Sequence, residues 1–191
     1  MPFRSLAVLL AGVLACPAIA QAQAQSAPAA SAATAARRPA ADPKDVESMD
    51  AIIAALYDVI SGPAGQKRNW DRMRSLFVPG AKLIPVRVPR DSAASPVFLD
   101  VEDYIQRSGP MLERNGFFEQ EIGRRTEIFG HIAHVFSTYE SKRTASDPQP
   151  FARGINSIQL LNDGARWWVV NVYWDSERPG QPIPPQYIGK P

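Results

Sequence analysis

The sequence predicts an α+β domain in which helices come first and a sheet of long strands follows. The first half of the folded region has apolar residues at helical spacing, whereas the second half consists of β-branched and aromatic segments separated by turn signals. The clearest turn signal is Asn162-Asp163-Gly164, which is typical of a β-hairpin. These observations predict a helical layer on one face of a mostly antiparallel sheet.

Three helices are predicted in the first half. Residues 46–60 carry one apolar stripe, made of Val46, Met49, Ile53, Leu56, Tyr57 and Ile60. Residues 70–77 form a short second helix with Asn69 as its N-cap. The third helix begins near Asp100 and carries an apolar group of Val101, Tyr104 and Ile105. We expect Gly109-Pro110 to break or kink it.

Five strands are predicted. Residues 81–88 form the first, and Pro85 places it at a sheet edge or a bulge. Residues 91–96 form a polar loop before the third helix. The other strands form a meander and comprise residues 117–129, 131–142, 153–161 and 166–175.

The last strand, RWWVVNVYWD, is apolar on both faces if its side chains alternate regularly. One face would carry Trp168, Val170, Val172 and Trp174, and the other Trp167, Val169, Asn171 and Tyr173. Each of these two faces then needs a cover, and we expect one of them to face the helices.

Composition and charge limit the classes of function. The chain has 191 residues, of which 45% are hydrophobic and 21% charged, as expected for one globular domain with extra segments. The net charge is only +2, and no run of Lys or Arg is long enough for a nucleic-acid patch. We therefore expect no nucleic-acid partner.

The N-terminus has the features of a signal peptide, assigned to residues 1–22. Arg4 supplies the positive charge, residues 6–14 the short apolar run, and Ala18-Ile19-Ala20 a small-residue cleavage region. The run is too short to span a membrane, so no transmembrane segment is expected and the protein is predicted to be periplasmic or secreted. The alternative is a lipoprotein anchored at Cys16, the single cysteine, because the preceding residues resemble a lipobox.

Three further segments follow the signal peptide. Residues 23–43 are rich in Ala, Pro and Ser and predict a flexible tether. Residues 44–178 form the folded domain. Residues 179–191 form a Pro-rich tail that is expected to be extended and to lie against the domain through Ile183, Tyr187 and Ile188.

The element order resembles the NTF2-like, or SnoaL-like, superfamily. The residues that carry the resemblance are WDRMRSLFVPGA at 70–81, FGHIA at 129–133 and the ending from Asp163 to Asp175. The resemblance implies a cone in which a strongly curved, mostly antiparallel sheet wraps around three helices. It also implies a pocket on the concave face and a homodimer through the outer face. The alternative cover for that outer face is the Pro-rich tail of the chain itself.

The resemblance also allows the chemistry to be tested by position. Isomerase-like members need a carboxylate base where this chain has Pro85, and an acidic hydrogen-bond donor where it has Asn156. Proline cannot move a proton, so the chain is expected to lack that mechanism. Dehydratase-like members use a Tyr-Asp pair, matched by Tyr57-Asp58, and a His whose position falls near Glu119.

Two histidines complete the inventory of candidate groups. His131 and His134 are three residues apart, so on a strand they point to opposite faces and no shared metal site is expected. The register implied by the resemblance places His134 on the inner face with Phe136, Thr138 and Glu140. His131 is expected at an exposed turn.

Three hypotheses follow from these residues. The favoured one is a binding protein for a small, largely apolar molecule, with no cofactor and no metal. Its expected ligand contacts are Tyr57, Phe118, Phe136, Asn156, Trp168 and Trp174. The second is an enzyme, a lyase, cyclase or hydrolase, with Glu119, His134 and Asp58 as catalytic candidates. The third is a structural dimer of the cell envelope.

Overall fold

The computed structural model describes residues 38–90 and 93–189. The predicted signal peptide and most of the predicted tether lie outside these ranges. Within them, none of the helices combines the length and the apolar character that crossing a bilayer requires.

Within the described residues there are four α-helices, whose starts are set by polar caps, and one short 3₁₀ helix, Pro185–Tyr187. Ser48 accepts a hydrogen bond from the backbone N–H of Ala51, and Asn69 accepts one from that of Arg72, as its predicted role requires. Asp100 and Asp103 form a reciprocal capping box. The helices are α1 (Pro43–Val46), α2 (Met49–Ile60), α3 (Trp70–Leu76) and α4 (Val101–Asn115).

Two helix predictions differ from the structure. The predicted helix over 46–60 is divided into α1 and α2, because Ser48 is extended and caps a new helix. The third helix does not break at Gly109-Pro110 but continues to Asn115. Ile105 and Leu112 are buried on either side of Pro110, so packing holds both halves in line despite the lost hydrogen bond.

The helices pack on a curved, six-stranded sheet with the order β2-β1-β6-β5-β4-β3. All neighbouring strands are antiparallel except β1 and β6, which are parallel. The predicted α+β cone is confirmed. The strands are β1 (Phe77–Arg87), β2 (Ser95–Pro96), β3 (Phe118–Phe129), β4 (Ile132–Lys142), β5 (Ala152–Asn162) and β6 (Trp167–Ser176).

The core lies between α2, α3 and the concave face of the sheet. Its fully buried side chains include Ile52, Ile53, Met73, Phe77 and Ile158. The buried Arg68 closes one end of this core. Its guanidinium donates hydrogen bonds to the carbonyl oxygens of Ile60, Gly62 and Leu112, and so joins the end of α2 to α4.

A β-bulge in β6 decides which of its side chains face the core. Leu160 pairs with Val169 and Gln159 with Asn171, so Val170 is an extra residue between two regular halves. Consequently Trp167 and Val169 face the core before the bulge, and Val172 and Trp174 face it after the bulge. The regular alternation expected from the sequence is wrong, because the bulge changes the side-chain period within the strand.

The Pro-rich tail packs on the outer face of β3 and β4. The carbonyl oxygen of Tyr187 accepts a hydrogen bond from Thr138 at 2.6 Å, and the N–H of Gly189 donates to Ile122 at 3.0 Å. The rings of Tyr187 and Phe136 pack edge to face, with centroids 5.0 Å apart. Of the predicted tail contacts, Ile183 is buried but Ile188 is exposed. The tail therefore covers the outer face of β3 and β4. A second subunit was the other cover that the sequence predicted for the outer face.

Candidate functional site

A cavity of about 250 Å³ lies inside the cone, between α2, α4 and the concave face of the sheet. Its walls are mostly aromatic and aliphatic, and the only charged side chain among them belongs to Glu119. The lining residues used below are Tyr57, Tyr104, Met111, Phe117, Tyr139, Ser141, Phe151, Asn156 and Trp174. An apolar cavity with a few convergent polar groups is the usual form of a small-molecule site.

Glu119 is held in place near the start of β3. Ser61 accepts its backbone N–H at 3.0 Å, and Ser141 donates to its Oε2 at 2.8 Å. Burial raises the pKa of Glu119 to about 7, while hydrogen bonding by Ser141 and Asn156 opposes that rise. At neutral pH this carboxyl is therefore present in both the protonated and the ionised form.

A chain of hydrogen bonds leads away from the cavity floor. The Asn156 amide donates to the Tyr57 hydroxyl at 3.0 Å, and Tyr57 lies 2.7 Å from the Ser137 hydroxyl. Because Ser137 donates to Glu121, its oxygen accepts the proton of Tyr57. The Tyr57 proton is thus engaged in the wall, and burial raises the pKa of that hydroxyl. Tyr57 orients Asn156 and is not poised to give its proton to a ligand.

Trp174 and Tyr104 form an aromatic wall beside the polar floor, since Trp174 is the cross-strand partner of Asn156. Their rings pack edge to face with centroids 6.4 Å apart. Trp174 also pairs with Pro85 of the neighbouring strand β1, where an isomerase-type mechanism was expected to need a base. That part of the wall contributes aromatic surface and no acid–base group.

A second cavity, of about 420 Å³, opens between α2 and β3. It shares Tyr57 and Glu119 with the cone cavity and contains Phe118 and Asp58, neither of which lines the cone. Asp58 is 68% exposed at its side chain and forms an ion pair with Arg72. Asp58 therefore borders the second cavity together with Glu119 but has no place in the cone cavity.

His134 and Phe136 were expected to face inward, and this expectation is wrong. In β4 the buried inner positions are Ala133, Val135 and Ser137, so their neighbours His134 and Phe136 lie on the outer face. His134 contacts Ser157 at 2.9 Å, and Phe136 packs under the tail. The observed register of β4 differs by one residue from the register that the resemblance implied. A shift of one residue moves every side chain of a strand to the opposite face of the sheet.

Trp168 is likewise displaced from the expected site. It follows Trp167, which faces the core, and its ring is stacked under the Arg166 guanidinium at 3.6 Å. His131 lies at the exposed turn between β3 and β4, as predicted. Of the expected ligand contacts, Tyr57, Asn156 and Trp174 meet in the cone, together with Glu119 from the catalytic candidates.

Sequence reasoning missed several cavity residues, including Ser141, Tyr139 and Tyr104. Ser141 is the cross-strand partner of Glu119, so a correct β3–β4 register would have found it. Tyr104 was seen on the apolar side of the third helix but was not assigned to the site. Across the two described ranges, no group of three or more His, Cys, Asp or Glu side chains is placed to hold a metal ion.

The chain was compared with known families, curated proteins and solved structures. No family model matches, and no curated protein matches significantly. An NTF2-like protein of unknown function from Silicibacter pomeroyi is 12% identical, with 69% of this chain and 94% of that chain covered and a TM-score of 0.46.

Two further solved structures resemble the chain. A protein of unknown function with a cystatin-like fold from Nostoc punctiforme is 12% identical over 66% of this chain and 86% of that chain, with a TM-score of 0.49. An NTF2-like protein of unknown function from Methylobacillus flagellatus is 15% identical over 69% and 95%, with a TM-score of 0.43. At this level of similarity, nothing about activity, ligand or partner follows from them.

Proposed function

We propose that this protein binds a small, largely apolar molecule in the cone cavity. The observation that supports the proposal is the cavity of about 250 Å³ with aromatic walls and a polar floor formed by Glu119, Asn156 and Ser141. Apolar walls supply most of the binding free energy of a small ligand, and a few polar groups fix its orientation. We also propose, on the sequence of residues 1–22, that the protein acts after export to the periplasm or the medium.

The test is native mass spectrometry of the protein purified gently from its own compartment. We expect a reproducible extra mass on the wild type and a strongly reduced one on Trp174→Ala, which removes part of the cavity wall. Trp168→Ala is the matched control, because it removes the same ring from the other face of the same strand. A Trp174→Ala protein that keeps the full extra mass would contradict the proposal. The same spectra give the mature N-terminus and any lipid on Cys16.

A second candidate function is acid–base catalysis on the bound molecule. The observation that favours it is Glu119, whose pKa of about 7 suits a group that takes and returns a proton near neutral pH. His134 has no part in it, since it lies on the outer face.

This candidate predicts proton exchange between the bound molecule and water. The molecule released from wild-type protein after incubation in D₂O should gain deuterium at carbon, and the molecule released from Glu119→Gln should not. Asp58→Asn is the control, because its carboxylate belongs to the exposed ion pair with Arg72. Equal incorporation of deuterium with wild type and with Glu119→Gln would contradict catalysis by Glu119, and only the proposed binding function would remain.

A further inference from the structure

We propose that the cone cavity binds a small organic cation, namely an amine or quaternary ammonium group with apolar substituents. The inference rests on the proposed binding function and adds the charge of the ligand to it. It is carried by one carboxylate that faces aromatic rings in a cavity without a cationic side chain.

The first step is that Glu119 has no counter-ion among the described residues. Within that part of the chain, no Lys, Arg or His lines the cone cavity. Over residues 38–90 and 93–189, no Lys, Arg or His forms a salt bridge with Glu119. The groups that hydrogen-bond its side chain, the hydroxyl of Ser141 and the amide of Asn156, are both neutral. A half-buried carboxylate on an apolar cavity wall loses much of its hydration, which is costly without a cation, so a positive ligand would be stabilised there.

The second step is that the neighbouring cations are already paired. In β3, Arg124 lies 2.6 Å from Glu121 and also binds Asp50 of α2. In β4, Lys142 lies 3.4 Å from Glu140. Both cations line the second cavity, which Glu119 also borders, and neither lines the cone.

The remaining titratable groups that face Glu119 carry no positive charge. They are Tyr57 and Asp58 from α2, Tyr104 from α4, and Tyr139 from β4. Burial raises the pKa of Tyr139 to about 12, and it also raises the pKa values of Tyr57 and Tyr104. These three hydroxyls stay neutral near pH 7, so among the cone residues only Glu119 changes charge there.

The third step is the aromatic wall. Trp174 and Tyr104 stand edge to face, and Phe117, Phe151 and Tyr139 contribute further rings to the same cavity. The negative face of an aromatic ring attracts a cation, most strongly when water is excluded, and aromatic walls of this kind recognise quaternary ammonium groups. Apolar substituents on the cation would fill the aliphatic part of the cavity.

Charge predicts how binding depends on pH. A cation competes with the proton on Glu119, so its affinity should rise with pH up to about 7 and then level off. A neutral ligand that accepts a hydrogen bond from the protonated carboxyl should instead weaken over the same range. The two classes of ligand are therefore distinguished by the sign of the pH effect.

The experiment compares choline with 3,3-dimethylbutan-1-ol, a neutral molecule of nearly the same shape. Both are titrated by calorimetry into the whole mature protein, freed of ligand, at pH 5.5 and pH 8. We expect choline to bind at least about tenfold more tightly than the alcohol at pH 8, and to lose about tenfold or more at pH 5.5. Glu119→Gln should remove this preference, whereas Glu127→Gln, an exposed carboxylate on the same strand, should keep it.

The outcomes separate the two proposals. If the alcohol binds as tightly as choline, the cation inference is overturned and the proposed binding function stands. If neither binds at millimolar concentration, both are overturned. Unchanged alcohol affinity in Glu119→Gln shows that the cavity is intact, and a choline preference that survives this substitution would also overturn the inference.

Discussion

At the scale of single residues, the unusual group is Glu119. Many charged side chains of the described residues form ion pairs near the surface, as Arg74 does with Asp71 and Glu102. Glu119 instead faces an apolar cavity, and burial raises its pKa to about 7. Such departures from ordinary titration are more frequent at binding and catalytic sites than elsewhere.

This raised pKa predicts a pH-dependent stability. The folded state holds the Glu119 proton more tightly than the unfolded state does, so the stabilisation is complete below the unfolded pKa, near 4.5, and is lost as pH rises to about 7. Glu119→Gln cannot ionise, so it should gain stability relative to wild type over that interval, by at most about 3 kcal/mol. Urea unfolding between pH 4.5 and 8 measures the difference, with Glu127→Gln as control. If the free energies of unfolding of wild type and Glu119→Gln changed with pH in parallel, the predicted gain in stability would be refuted.

At the scale of elements, the bulge in β6 decides the faces of the sheet. Because Val170 is an extra residue, Trp167 lies on the same face as Val172 and Trp174, whereas Trp168 does not. The bulge also explains why RWWVVNVYWD looks apolar on both faces when read as a regular strand. The helices cover a single face, to which Trp167 and Val169 contribute before the bulge and Val172 and Trp174 contribute after it.

Two tryptophan substitutions test this arrangement. Trp167→Lys should lower the free energy of unfolding by about 2–3 kcal/mol, because it places a charge against the core. Trp168→Lys should lower it by less than about 1 kcal/mol, because it changes a ring that stacks on Arg166. Chemical denaturation of both variants gives the comparison. If Trp168→Lys were instead the less stable variant, the side chains of β6 would alternate regularly and the bulge at Val170 would be wrong.

At the scale of the whole molecule, the C-terminal tail acts as a cover for the outer face. Its contacts depend on Gly123, where a Cβ atom would lie 2.4 Å from the carbonyl oxygen of Tyr187. The tail leaves other parts of the face open, and there Tyr173 is 44% exposed. A homodimer through the outer face therefore stays a prediction, and it would have to use this open part.

Removing residues 179–191 should expose Phe136 and Thr138 and promote self-association, because exposed apolar surface favours contact between copies. Gly123→Val should have a similar but weaker effect by displacing the tail. Ile188→Ser, which changes an exposed tail residue, is the control. Light scattering during size exclusion at several concentrations gives the mass. A truncated protein whose mass and stability match those of the full chain would show that the tail is not a cover.

Some of this structure was determined by sequence alone. The Asn69 cap and the turn at Asn162-Asp163-Gly164 depend on local propensity and hydrogen bonding, and they agree with the prediction. The order of helices and strands also agrees, except that the first helix is divided into α1 and α2 and the short β2 lies in the predicted loop. Tyr57, Glu119, Asn156 and Trp174, which the sequence offers as candidate site residues, line one cavity in the structure. Their types were informative because buried polar and aromatic groups are selected for specific contacts.

Only the tertiary structure decided which face each strand residue occupies and what surrounds Glu119. A shift of one residue moves the side chains of a strand to the other face of the sheet, as it does for His134 and Phe136. The bulge at Val170 places Trp167, and not Trp168, on the face that meets the core. Neither change has a local signal in the sequence. The ionisation of Glu119 depends on α2, α4, β4 and β5, which are far apart along the chain, so it could be known only after they had packed together.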